Sequence, residues 1–151
     1  MKATDILKKQ HREVKGLFKK IEKTEDARGR KQLMDEIAQA LELHTRLEEE
    51  VFYPAVGSVE TRKAHEMVAE AFEEHHVVKL VLRELPQVDP EDERFEAKMT
   101  VLSELVEHHV QEEEKEMFKI AQRLGNDELK ALGEEMASRM GQARPRGRQA
   151  A

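Results

Sequence analysis

The chain has no cysteine and no tryptophan, a single tyrosine, and only seven glycines and four prolines among its 151 residues. Without cysteine there is no disulfide framework, no thiolate metal site and no cysteine nucleophile. A reducing compartment fits that absence, and the expected location is cytoplasmic. No apolar run approaches the roughly 20 residues of a membrane-spanning helix. The opening stretch "MKATDILKKQHREV" lacks the apolar centre of a secretory signal, so no membrane partner is expected. The formal net charge of −6 argues against a general nucleic-acid binder, which would need a basic face for the phosphates. There is no glycine-rich phosphate loop. "HEMVA" at His65 begins like a zinc-protease motif but lacks the second histidine four residues on.

What remains is charge and periodicity. The composition is 38% charged and 38% hydrophobic, with few glycines and prolines to interrupt its long periodic segments. The spacing predicts a helix from Thr4 to Glu25, with Ile6, Leu7, Val14, Leu17, Phe18 and Ile21 as its apolar stripe. A second runs from Arg30 to Ala55, a third is capped by Ser58 and stops before Pro86. Asp89-Pro90 reads as a capping acid followed by a first-turn proline. The fourth helix then runs to about Leu124, where Gly125 ends it. A short amphipathic segment follows from Asp127 to Met140. Short connections make successive helices antiparallel neighbours. The expected fold is all-α: an up-down-up-down four-helix bundle with a short C-terminal helix over residues 1–140. Residues 141–151 form a basic tail, the end of "SRMGQARPRGRQAA", without apolar periodicity.

The segments repeat. "HREVKGLFKKI" from His11 aligns with "HHVVKLVLREL" from His75, and "HTRLEEEVF" from His44 aligns with "HVQEEEKEM" from His109. The order is H, HxxxE, H, HxxxE. Helical phase places His11 with Leu7, Val14 and Phe18, and His44 and Glu48 with Ile37, Leu41 and Val51. It places His75 with Val68, Phe72, Val78 and Leu82, and His109 and Glu113 with Leu102, Val106 and Met117. Four histidines and two glutamates therefore interrupt apolar stripes. Glu49, Glu50, Glu112 and Glu114 fall off the stripes and read as solvated charge. His76 and His108 read as outer residues. His65 also lies on the third stripe, about 15 Å along the axis from His75, but the repeat favours His75. Tyr53, beside the second block, reads as packing near a bundle end, with a place against the site ligands or a redox role as the alternative. A lone buried carboxylate is costly unless a positive partner meets it. A pair of cations would neutralise both carboxylates and use the imidazole lone pairs.

These four blocks, "HREVKGLF", "HTRLEEEVFYP", "EEHHVVKLVL" and "EHHVQEEEKEMF", resemble in order those of the hemerythrin family, in its bacterial HHE cation-binding branch, over roughly residues 3–123. The resemblance implies a bundle holding two non-haem iron ions, with manganese or zinc as substitutes. The ligands implied are His11, His44, Glu48, His75, His109 and Glu113, with Glu48 and Glu113 as bridges. Two features depart from the oxygen carriers. Lys79 stands where they have a further histidine, and Glu113 follows His109 by four residues rather than an aspartate by five. The implied function is binding of oxygen, nitric oxide or peroxide at a carboxylate-bridged pair, in oxidative or nitrosative stress defence, with at most weak peroxide decomposition. The alternative is an iron- or oxygen-responsive regulatory helical module without turnover. The expected partners are a small diatomic ligand or peroxide. Phe18, Phe72, Val78 and Met117 are the expected apolar walls.

Overall fold

The computed structural model describes residues 1–143. Helix α1 spans Ala3–Glu22 and α3 spans Arg62–Glu84. Between them, α2 begins as Ala27–Leu47, widens into a π turn at Glu48–Phe52 and closes with Tyr53–Gly57. The fourth helix, α4, repeats this plan: Glu93–Glu112, a π turn at Glu113–Met117, Phe118–Ala121 and a tight last turn Gln122–Leu124. Gly125, with φ of 88°, reverses the chain in a conformation that favours glycine. Helix α5, Asn126–Gln142, then packs back along α1. A Cβ on Gly133 would collide with the Met1 carbonyl, so only glycine lets α5 lie this close to the N-terminus. The four-helix bundle with a C-terminal helix matches the expected fold. The last helix reaches two residues past the expected Met140, and residues 144–151 of the basic tail lie outside the described residues.

Two helix starts differ from expectation. Ser58 does not cap α3; it closes the end of α2, and Thr61 is the cap, accepting from the Ala64 N–H at 3.1 Å. Asp89-Pro90 does not open α4. Asp89 accepts from the Glu91 N–H at 2.9 Å and its carbonyl takes the Asp92 N–H at 2.9 Å. That is a turn with proline at its second position. Asp92 is the cap, accepting from the Arg94 N–H at 2.9 Å. An acid-proline pair serves a turn as readily as a helix start, and the acid three residues later took the cap.

The core has two apolar clusters. One gathers Leu7, Leu47, Phe52, Val56, Ala64, Met117, Phe118, Leu129 and Met136 at the end where α5 crosses. The other gathers Val14, Phe18, Ile37, Leu41, Val78, Phe95 and Leu102 toward the opposite end. Between them lies a polar layer, which includes His11, His44, Glu48, His75, His109 and Glu113. The apolar clusters fix the helix ends on either side of that layer and keep it from opening. Truncating a fully buried residue such as Phe52 to alanine costs about 3–5 kcal/mol. Among the described residues, no helix is long and apolar enough to cross a membrane.

Candidate metal centre

All six inward residues meet in the polar layer. His11, His44, Glu48 and Glu113 each bring one donor atom into a group within 4.8 Å of one another, and Glu48, His75 and His109 do the same beside it. Glu48 takes part in both groups. His75 Nε2 lies 3.0 Å from Glu48 Oε1, while His44 Nε2 lies 3.3 Å from Glu48 Oε2. Glu113 faces both sides too: its Oε1 is 3.1 Å from His11 Nε2 and its Oε2 is 3.1 Å from His109 Nε2. Both carboxylates have fully buried side chains.

Four atoms in this layer lack a hydrogen-bond partner: His11 Nε2, His44 Nε2, Glu48 Oε2 and Glu113 Oε1. Buried polar atoms are nearly always paired. Here two imidazole nitrogens and two carboxylate oxygens stand at contact distance without hydrogen-bond alignment. All four belong to one group of donor atoms within 4.8 Å of one another. That donor set, two nitrogens and two oxygens, suits a borderline divalent or trivalent cation.

The outer nitrogen of every inward histidine is held. His11 Nδ1 donates to Glu114 at 2.6 Å, His75 Nδ1 to Glu49 at 2.7 Å and His109 Nδ1 to Glu74 at 2.6 Å. His44 Nδ1 donates to the Gln10 amide oxygen at 2.7 Å. Each bond fixes the tautomer that leaves Nε2 directed inward, as outer partners of metal-binding histidines do. Glu49 and Glu114 are therefore not simply solvated charge, as their helical phase suggests. The π turns let the helices widen where these glutamates sit, so residues next to the inward glutamate also reach a histidine of another helix. Glu50 and Glu112 do stay outside, Glu50 meeting Arg139 of α5 at 2.6 Å and Glu112 meeting His108 at 3.4 Å.

Tyr53 corrects the expectation most. It is fully buried, and its hydroxyl donates to Glu113 at 2.7 Å and lies 3.1 Å from Glu48, 3.1 Å from His75 and 3.0 Å from His109. On an unbroken α-helix a residue five beyond Glu48 points about 140° away from it. In the π turn the Tyr53 N–H bonds the Glu48 carbonyl five residues back, which returns Tyr53 to the glutamate's own face. The sequence signal was its position, an aromatic residue five after an inward glutamate in both halves, since Phe118 follows Glu113 likewise. Glu74 and Gln10 carried no periodic signal, because each reaches the site from the flank of its helix.

The remaining histidines divide cleanly. His65 is exposed, its Nε2 3.1 Å from the Gly57 carbonyl, so the repeat identifies the inward residue of α3 and depth counting does not. His76 is exposed, and His108 reaches only Glu112 and, at 3.7 Å, Glu74. Lys79 bonds Glu49 at 2.9 Å rather than the centre. Phe72 is 40% exposed and touches the site only through Tyr53, whose ring it meets edge-on at 5.5 Å, so it is no inner wall.

The electrostatics show what the layer demands. Burial pushes the His109 imidazolium down, but Glu113, Glu48 and Glu74 outweigh it and hold the pKa up at about 12. His11 is raised the same way, burial opposing and Glu113 prevailing. Burial pushes Glu48 up, yet the facing histidines hold it well below the usual carboxylate range. Tyr53 is driven well above its ordinary value by burial and then by Glu48 and Glu113. Two buried carboxylates call for positive charge, and without a metal His11 and His109 supply it as protons.

The chain is similar to known proteins. The family model for the hemerythrin HHE cation binding domain matches residues 2–121. The uncharacterized protein Rv2633c of Mycobacterium tuberculosis is 30% identical over 147 residues, covering 95% of this chain and 88% of that one. A DNA nickase of Nostoc is 26% identical over 118 residues, covering 78% of this chain but 33% of that protein. The crystal structure of an HHE cation binding domain-containing protein from Mycobacterium kansasii, a homolog of Rv2633c, matches with a TM-score of 0.82 and 32% identity. It covers 94% of this chain and 86% of its own. The residues that meet in the polar layer are those of the four repeated blocks, and the chain belongs to the hemerythrin HHE cation-binding family.

Proposed function

We propose that this protein holds a pair of iron ions between Glu48 and Glu113 and binds oxygen, nitric oxide or peroxide there. The observation that carries the reading is the two adjoining donor groups that share Glu48, one of them with four buried donor atoms that lack partners. His11 and His44 would hold one ion and His75 and His109 the other, with Glu48 and Glu113 facing both pairs of histidines. Tyr53 places its hydroxyl at the second position. Iron supplies one-electron redox chemistry and coordination sites that the protein leaves free. The chain's own residues orient the histidines, keep a proton on the Tyr53 oxygen and exclude bulk water.

Size selects the ligand. A cavity of about 20 Å³ abuts the histidines, walled by Val14, Leu41, Val78, Val106 and Val110. A single water needs at least about 10–15 Å³, so this cavity has room for a diatomic molecule or peroxide beside the histidines. The test is protein expressed with iron and purified without chelator, analysed for metal and then titrated with azide and nitric oxide. Two irons per chain and ligand-dependent spectral bands are expected. Protein that carries almost no metal would overturn the reading.

A further inference from the structure

The outer hydrogen bonds follow the repeat, with one exception. Glu114 of the second half holds His11, and its counterpart Glu49 of the first half holds His75. Glu74, immediately before His75, holds His109. The counterpart of Glu74, immediately before His11, is Gln10, and it holds His44. Three histidines thus donate to carboxylates and the fourth to a neutral amide.

Gln10 is 7% exposed, and its orientation is chemically forced. Its amide nitrogen faces the Met140 sulfur on α5 at 3.8 Å. A thioether sulfur accepts and cannot donate, so the NH₂ group turns to it and the oxygen turns to His44. His44 must then carry its proton on Nδ1 and present a bare Nε2 inward, where it has no partner. An amide oxygen makes the imidazole a weaker metal donor than a carboxylate does. The tyrosine position breaks the repeat in the same direction. Tyr53 brings an oxygen donor to His75 and His109, while its counterpart Phe118 stacks on His11 with ring centres 6.2 Å apart. Lys79 offsets part of the charge on Glu49, but it stands half in solvent, where screening weakens it.

We propose that Gln10, oriented by Met140 of the C-terminal helix, is a positioning residue that makes the His11/His44 position the weaker-holding of the two, the one that releases its metal first. The relay begins in α5, outside the residues 2–121 matched by the family. The inference rests on the two-metal reading above.

The experiment loads the protein with iron(II) under argon and follows release to an excess of bidentate chelator. The expected wild-type trace has two phases of one metal each. Gln10→Glu gives His44 a carboxylate partner and should slow the fast phase by about 10-fold or more, leaving the slow phase unchanged. Gln10→Leu should accelerate the fast phase alone. Met140→Leu, which keeps the packing and removes the sulfur, should accelerate it by less. Met140→Leu added to Gln10→Glu should do nothing further, since either carboxylate oxygen accepts. A general loss of packing would move both phases together and would overturn the inference. So would a single-phase wild-type trace, or a Gln10→Glu trace identical to wild type. A wild-type protein that takes up no iron overturns the two-metal reading itself, whereas two irons released without regard to Gln10 overturn only this inference.

Discussion

In the first half of the repeat, Phe52 and Tyr53 end the π turn that starts at Glu48; in the second, Met117 and Phe118 end the one that starts at Glu113. Both turns do the same backbone work, widening the helix so that a glutamate, its neighbour and an aromatic residue all reach the polar layer. π turns recur at functional sites, and here two occur at equivalent places. The side chains on them differ. One half ends on a hydroxyl inside the layer, the other on a bare ring. One half begins with Gln10 before its histidine, the other with Glu74. A duplicated scaffold can thus build two similar cation positions and then tune them separately, because backbone and first ring of donors are common while the outer partners are free to vary.

The largest effects come from what the halves share. Glu48 and Glu113 each face histidines of both halves, so Glu48→Ala or Glu113→Ala should abolish binding at both positions. His44→Ala and His109→Ala should each remove one metal and alter the spectrum. His76→Ala and His65→Ala should leave the metal content unchanged, because both lie at the exposed surface. Metal analysis of this series checks the assignment. Loss of iron on His65→Ala with retention on His75→Ala would mean that α3 is wrongly placed.

Removing the metal comes next. A ligand that binds only the folded state at a hundred times its Kd adds about 2.7 kcal/mol, so the metal-free protein should melt well below the loaded one. The pH dependence has a definite sign. His11 and His109 have raised pKa values in the metal-free fold, so their stabilisation is complete below the ordinary 6.5 and fades as pH rises toward the folded values, about 12 for His109. Glu48 is depressed, so its contribution is complete above 4.5 and is lost as pH falls through its lowered value. On these groups the metal-free protein is steadiest between those two limits. Metal must displace the histidine protons. The gain in melting temperature on loading should therefore grow as pH rises above about 6.5, over the range in which the metal-free fold still holds those protons. Equal melting temperatures with and without metal would place the cation outside the core.

How much of this was legible in the sequence follows from what periodicity can see. His11, His44, Glu48, His75, His109 and Glu113 interrupt apolar stripes, and a stripe is visible without a structure. The four-helix order was equally visible in the repeat. Tyr53 was legible only as the second choice, since its place depends on a π turn, and a 3.6-residue period carries it to the wrong face. Glu49, Glu114, Glu74 and Gln10 were also hidden. They lie on helix flanks, where a charged residue that faces water and one that turns to a neighbouring helix have the same phase. Ser58 and Asp89 misled because capping residues and turn residues are chemically the same set.

Making the halves alike at the aromatic position should have a moderate effect. Tyr53→Phe copies Phe118 and removes one donor from the buried Glu113. A carboxylate that loses a buried hydrogen bond costs about 1–3 kcal/mol, visible in the metal-free protein by chemical denaturation. Both metals should remain, because their histidines and bridges are untouched, but the spectrum of the His75/His109 position should change. A spectrum identical to wild type would show that the hydroxyl does not approach the metal. Phe118→Tyr tests the reverse and should perturb the His11/His44 position instead.

The smallest effect belongs to Lys79. It stands at the place where the oxygen carriers have a further histidine, yet its ammonium bonds both oxygens of Glu49, at 3.1 and 2.9 Å, and its side chain is 44% exposed. Glu49 is also held by His75 at 2.7 Å, so it keeps one partner when the lysine goes. Half-exposed ion pairs contribute about 0–1 kcal/mol. Lys79→Met should therefore change stability by less than about 1 kcal/mol and leave metal content unchanged. Its trace should appear only in the slow phase of metal release. With the lysine gone, Glu49 bears its full charge toward His75, the imidazole becomes a stronger donor, and release from the His75/His109 position slows. Added salt in the wild type should move that phase the same way, since screening weakens the lysine first. A loss of metal on Lys79→Met would show that the ammonium reaches the centre itself.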